Sequence, residues 1–201
     1  MADILIDNQA SPGTPASGKS YLWVDSTTKR FVQTSDGGVH QGVLSKNYST
    51  SQQTGFAADT YLTGSSILIP SVGMQAGQLY VWEVGIEKSA AGTGLITTTV
   101  RVGSNQSVAD TSRAALAQTV AQAATASANI MRVSVLVRSV SASGILIASM
   151  GFTGTQMGDG DRIVAAAFDN SALAGQYIGL SLNGNTSASY TIDSVFGYLV
   201  S

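Results

Sequence analysis

From Phe56 onward the sequence repeats one pattern: short runs with apolar side chains at every second position, closed off by Gly, Asn, Asp or Ser. Successive side chains of an extended strand point to opposite faces, so a period of two builds one apolar stripe per run and does not fit a helix. In Leu79–Lys88 the stripe is Tyr80, Trp82, Val84 and Ile86, with Glu83 and Glu87 opposite. In Ile130–Val140 it is Met131, Val133, Val135 and Val137, with Arg132, Ser134 and Arg138 opposite. Strict alternation over Ser189–Val200 assigns Tyr190, Ile192, Phe196 and Tyr198 to one face and Thr191, Asp193 and Gly197 to the other. Further strands are expected at Ser66–Ile69, Leu95–Val102, Ile145–Phe152, Arg162–Phe168 and Tyr177–Leu182. Residues 110–128 allow two readings. Their alanines, Leu116 and Val120 four apart, and Asp110 as an N-cap suit a helix, whereas the surrounding strands favour a strand followed by a loop. About eight strands in about 145 residues suit an all-β fold, a jelly-roll-like two-sheet β-sandwich.

Residues 1–45 differ from that pattern. They hold Pro12, Pro15 and the one histidine, His40, with short strand-like pieces at Ile4–Ile6, Tyr21–Asp25 and Arg30–Gln33 separated by turn formers such as Asp36-Gly37-Gly38. This reads as an extended N-terminal arm with a small hairpin. Residues 46–55 are polar and read as a linker, leaving 56–201 for the sandwich. In the hairpin, Tyr21 and Trp23 alternate with Leu22 and Val24, so one pair is left to be covered by a partner, and the arm is expected to dock. The alternative is that it folds back onto its own sandwich.

Charge narrows the range of functions. Only 11% of residues are charged and the formal net charge is -2, so no bulk field draws the chain to nucleic acid or anionic lipid. No run approaches the ~20 apolar residues of a membrane helix, and the N-terminus lacks a basic flank followed by an apolar stretch. Absence of Cys excludes disulfides, thiolate metal sites and cysteine nucleophiles.

Several strings mimic chemical motifs. Residues 13–20 match the phosphate-loop pattern G-x-x-x-x-G-K-[ST], but that chemistry needs a helix to open after the loop. Here Lys19-Ser20 run into the strand-like Tyr21–Asp25. Gly158-Asp159-Gly160-Asp161 offers two carboxylates, with Asp169 and Asn170 nearby in sequence, where a calcium site needs six to eight oxygens; an interstrand turn is favoured. A Ser-His-Asp arrangement would have to use His40, which follows a glycine turn and is expected in solvent. No pair of carboxylates can be placed at glycosidase spacing. No catalytic, metal-binding or cofactor-binding residue is therefore assigned, and the chain is not expected to be an enzyme.

The opening, with Ile4-Leu5-Ile6-Asp7-Asn8-Gln9, Pro12, Pro15-Ala16-Ser17-Gly18, Leu22-Trp23-Val24-Asp25 and Lys29-Arg30, resembles a short module at the start of many tailed-phage virion proteins. The remainder is similar to a companion phage jelly-roll domain, at Leu68-Ile69-Pro70, Lys88 to Thr93, Val100 to Gly103, Val108 to Thr111, Gly179 to Asn183 and Tyr190 to Ile192. The resemblance implies a homotrimeric capsid decoration (cement) protein that binds and stabilises the major capsid protein lattice. It would sit on the outer surface of the capsid in the virion, after a stay in the host cytoplasm during assembly. Residues 1–45 would be the attachment arm, with Ile4, Ile6, Pro12, Pro15, Tyr21, Leu22, Trp23 and Val24 as contact candidates. Tail-fibre and receptor-binding modules share the resemblance, and on that alternative the sandwich loops would bind host surface glycan.

Overall fold

The computed structural model describes residues 8–9, 16–17, 20–25, 31–35, 40–42, 46–70, 72–154, 157, 162–185 and 189–200; for 8–9, 20–22, 25, 31–35 and 40–42 the description is of the backbone. Among these residues every regular element is a strand. In chain order they are β1 (Asn8–Gln9), β2 (Ser20–Asp25), β3 (Phe31–Ser35), β4 (His40–Gly42), β5 (Lys46–Ser49), β6 (Thr60–Tyr61), β7 (Ile67–Leu68), β8 (Leu79–Lys88), β9 (Thr97–Gly103), β10 (Thr111–Ala117), β11 (Ser127–Ser139), β12 (Gly144–Phe152), β13 (Arg162–Phe168), β14 (Tyr177–Asn183) and β15 (Tyr190–Val200).

Two antiparallel sheets make the sandwich. One has six strands in the order β13-β12-β11-β8-β15-β5; the other has β10-β9-β14, with β6 and β7 both pairing along β14. The chain starts in the six-stranded sheet with β5, crosses for β6 and β7, and returns for β8. It then crosses for β9 and β10, returns for β11, crosses for β14 and closes with β15. Two interlocked Greek keys of this kind are the jelly-roll arrangement, and β12 and β13 extend it beyond β11. The expected fold class is therefore the one found.

Every inner strand contributes its alternate apolar residues to one core. Tyr80, Trp82, Tyr190, Phe56, Leu62 and Ile67 are its largest fully buried members. Trp82 fits because its indole N–H donates to the Ser65 carbonyl at 2.6 Å and because its partner across β15 is Gly197. A Cβ at Gly197 would lie 2.6 Å from the indole Cδ1, so a side chain there would displace the ring. At the far edge of the sandwich the guanidinium of Arg113, on β10, sits 4.3 Å over the ring of Phe168, on β13, joining edge strands of the two sheets by a cation–π contact.

Residues 110–128 form strand β10 and then a loop, not a helix. Ala114 and Leu116 turn inward at period two. Buried glutamines then hold the loop: Gln118 accepts from the Ile96 N–H at 3.0 Å, and Gln122 donates to the Gly94 carbonyl at 3.2 Å and to Gln118 at 2.9 Å. Lys88 completes this anchoring, its ammonium donating to the carbonyls of Ala123 and Thr125 at 2.5 and 2.6 Å.

Three expectations need correction. The N-terminal region is a four-stranded sheet in the order β1-β2-β3-β4. The expected hairpin is β2 with β3, but β1 joins it in parallel and β4 antiparallel, so it is more than an arm with one hairpin. The proposed linker, 46–55, begins inside the sandwich. Lys46–Ser49 pairs with β15, and Gln53 exchanges two backbone bonds of 2.9 Å with Ile192. An edge strand needs ladder bonds on one side and can be polar, which is why its composition resembled a linker. Finally, the ladder between β15 and β8 shifts register between Ile192 and Ser194. This bulge adds one residue, so Val195, Gly197 and Leu199 point inward while Phe196 and Tyr198 turn outward, reversing the faces expected for them.

Candidate functional site

The outer faces of the two sheets differ in chemistry. On the five-stranded sheet the outward residues of β9 and β14 include Thr97, Thr99, Arg101, Ser181 and Asn183. Arg101 organises them: its Nε donates to the Ser181 hydroxyl at 2.8 Å, one terminal nitrogen donates to the Val108 and Asp110 carbonyls at 2.9 and 2.7 Å, and the other pairs with the Asp59 carboxylate. This outer layer is polar, as expected of an antiparallel sheet face turned away from the core, although Ser181 and Thr99 are themselves buried within it.

The six-stranded sheet lacks such a surface over much of its area. Reading straight across the register, Ala165 faces Ile147, Ile147 faces Leu136, Leu136 faces Leu79 and Leu79 faces Val200. The result is an unbroken aliphatic row over five strands. Ile163 is 70% exposed and Phe196 41%, and the rings of Phe196 and Tyr198 lie 5.4 Å apart on the same side. The charges on this face include Arg132 and Glu83, directly opposite each other on β11 and β8.

Among the described residues, three concavities open beside this sheet, one of them at Glu87, Ser89 and Thr191 where β8 meets β15. Glycine at 151 leaves a hollow of about 320 Å³ walled by Ile130, Ile163 and Arg132, with Ser134 and Ser149 sharing a hydrogen bond of 2.7 Å on its floor. Another, about 410 Å³, lies at the β5 edge between Tyr48, the turn carrying Gly64, and the loop carrying Gln106. Beneath it the Tyr61 hydroxyl reaches Ser66 at 3.4 Å, and burial pushes the Tyr61 phenol pKa up.

Of the arm candidates, Ile4, Ile6, Pro12 and Pro15 lie outside the described residues. Tyr21, Leu22, Trp23 and Val24 fall together on β2. Trp23 is only 3% exposed, so the chain itself covers this ring and it does not await a partner; Val24 is half-buried. The phosphate-loop string ends in strand β2, with no helix opening at Ser20. His40 lies in β4. Gly158 to Asp161 fall outside the described residues. Asn170 is wholly buried, with both ends of its amide engaged: it accepts from the Ser141 N–H at 3.0 Å and donates to the Ser139 carbonyl at 2.9 Å, fastening the β11–β12 turn. Asp169 accepts two bonds from Ser171, and these hold its carboxyl below the usual range.

The outer aliphatic row and the β5-edge groove were not singled out from sequence. The row combines residues from five strands whose register only the pairing supplies. The groove depends on β5, whose polar composition masked it. A signal for the row was present, since Leu136, Ile145 and Ile147 interrupt the otherwise polar alternate positions of their runs.

No protein-family model and no curated protein matches this sequence. Among solved structures, the chain is similar to arcelin-5, a lectin-like defense protein from Phaseolus vulgaris, at 11% identity and a TM-score of 0.36, over 79% of this chain and 92% of that one. It is also similar to a structure of infectious bursal disease virus, Gx strain, at 14% identity and a TM-score of 0.19. That likeness covers 76% of this chain and 42% of the viral chain, so this chain spans less than half of its length. The sandwich itself stands on the strand pairing described above.

Proposed function

We propose that this chain is a structural, non-enzymatic virion protein of a tailed phage: a capsid decoration protein that binds the major capsid lattice as a trimer and stabilises the assembled shell. The observation that carries this reading is the outer face of the six-stranded sheet, with its row Ala165, Ile147, Leu136, Leu79 and Val200. A contiguous apolar patch where an antiparallel sheet would meet water suits lasting contact with protein surface. Copies of the chain and the shell would provide that surface. The resemblance of residues 1–45 to a phage virion module supports attachment through that region. Stabilisation would follow from linkage, because a protein that binds the assembled shell more tightly than its dissociated parts favours the shell, by about 2.7 kcal/mol per site at a concentration a hundredfold above Kd. No cofactor, catalytic residue, nucleic acid or membrane takes part in this reading, and the protein would act on the outer capsid surface.

Cryo-electron microscopy of the virion tests it. The expected result is a shell-wide array of trimeric density on the outer capsid at threefold or quasi-threefold positions. Density confined to the tail overturns it and selects the second reading, a tail-fibre or receptor-binding module, which the groove beside Tyr48 favours.

A further inference from the structure

The groove at the β5 edge combines features that the assembly reading leaves unused. None of its lining residues carries a formal charge. Tyr48, on one wall, is 66% exposed. Among the described residues, the Tyr48 hydroxyl, the Thr63 hydroxyl and the Gln106 amide have no hydrogen-bond partner within the chain, so donors and acceptors as well as an aromatic face remain open to a ligand.

Both walls are fixed in advance. Gly64, at φ +86°, approaches β5 so closely that a Cβ would lie 2.6 Å from that of Ser49. Gln106 adopts φ 54°, a left-handed conformation uncommon for a residue with a side chain. The loop around it is pinned by Asp110, which accepts from the Asn105 N–H at 2.8 Å, and by Arg101 on the Val108 and Asp110 carbonyls. A preformed site loses little freedom when it binds.

We propose that this groove binds a neutral saccharide, one sugar ring lying against Tyr48 and its hydroxyls meeting Thr63 and Gln106. A sugar ring presents an apolar face to an aromatic side chain and hydroxyls at its rim, which matches an aromatic plate beside amide and hydroxyl groups. A phosphorylated or sulfated ligand would find no cation in the lining, since the nearby Arg101 guanidinium is already engaged by Asp59, Ser181 and two carbonyls. The site belongs to the isolated chain and does not depend on head or tail location.

The test is titration of the isotope-labelled full chain by heteronuclear NMR with maltohexaose, cellohexaose and the tetramer of N-acetylglucosamine, alongside a heparin fragment and an oligosialic acid as anionic probes. At least one neutral sugar is expected to shift resonances of Tyr48, Thr63 and Gln106 at millimolar concentration or below. Tyr48→Ala and Gln106→Ala should each weaken that binding about tenfold, and Tyr48→Phe should retain most of it. The proposal is overturned if no neutral sugar shifts these residues, if only the anionic probes do, or if binding survives both alanine substitutions. The exposure of Tyr48 and Gln106 keeps these variants folded, and their unchanged spectra away from the groove check this directly.

Discussion

Tyr190 shows how one buried hydroxyl ties the last strand to a distant turn. Its ring is fully buried, and its hydroxyl donates to the carbonyls of Gly92 and Gly94 at 3.2 and 2.8 Å. Burial pushes its pKa up to about 12 from 10.0. An acid whose neutral form is favoured in the fold contributes stability that is fully present below the unfolded pKa and is lost as pH rises towards the folded one. Stability contributed by Tyr190 should therefore hold to about pH 10 and fall between about 10 and 12. Its partner across the ladder, Lys88, acts with the opposite sign. Burial lowers its pKa from 10.5, so its contribution rises as pH climbs towards that value. Urea denaturation of wild type and Tyr190→Phe across this range separates the two, because the variant should lose the alkaline decline due to Tyr190 and keep the Lys88 rise. An unchanged alkaline decline in the variant would show that Tyr190 does not carry it. That Tyr190 faces the core was legible in the alternation of its strand. Its partners were not, because they lie almost a hundred residues earlier on a turn without a local signature.

At the scale of the element, β15 shows where counting by twos fails. The alternation located the strand correctly but put Phe196 and Tyr198 in the core and Gly197 outside. Asp193 is the residue the ladder skips, since Ile192 pairs with Ile86 and Ser194 with Gly85. Removing Asp193 would join these two pairs into a regular ladder and leave Val195, Gly197 and Leu199 inward. Deletion of Asp193 is therefore expected to leave a cooperative fold whose thermal midpoint drops by only a few degrees, consistent with losing its exposed bond from Gln52 at 2.9 Å at a cost of about 1 kcal/mol. Deleting Glu83 from β8, which is paired without interruption to β11 on one side, would turn part of the Tyr80, Trp82, Val84 and Ile86 stripe outward and should prevent folding. Scanning calorimetry of both variants decides the matter, and an unfolded Asp193 deletion would sink the argument. A bulge leaves no mark in hydrophobic periodicity when the residues after it are aromatic and acceptable on either face. The outer aliphatic row was hidden for a related reason: part of it lies on strands whose inner faces already explain their apolar residues.

For the whole molecule, the boundary that matters falls at residue 46 and not at 56. Removing residues 1–45 leaves β5 and its bonds to β15 intact, so the truncated chain should remain a folded β protein, and on the proposed function it should trimerise but no longer attach to the virion. Removing residues 1–55 also strips β5 and the Gln53 bridge, exposing the ladder edge of β15 beside Phe196, and that form should aggregate. Sedimentation velocity and circular dichroism compare the two; equal behaviour would return residues 46–55 to the status of a linker. The sandwich itself was legible because most of its strands bury one face each, whereas β5 and β6 are short and polar and are placed by backbone pairing together with side-chain bonds from Asn47 and Tyr61 to Ser66. The position of β15 has a further consequence, in time. It lies between β8 and β5, strands that precede it by more than a hundred residues, so the six-stranded sheet has a gap one strand in from its β5 edge until residues 190–200 are available. A chain emerging from the ribosome would hold β8 and β11 with one side of β8 unsatisfied until β15 emerges. Non-local pairing of this kind makes folding slow, and here the sandwich cannot close until β15 inserts between β8 and β5.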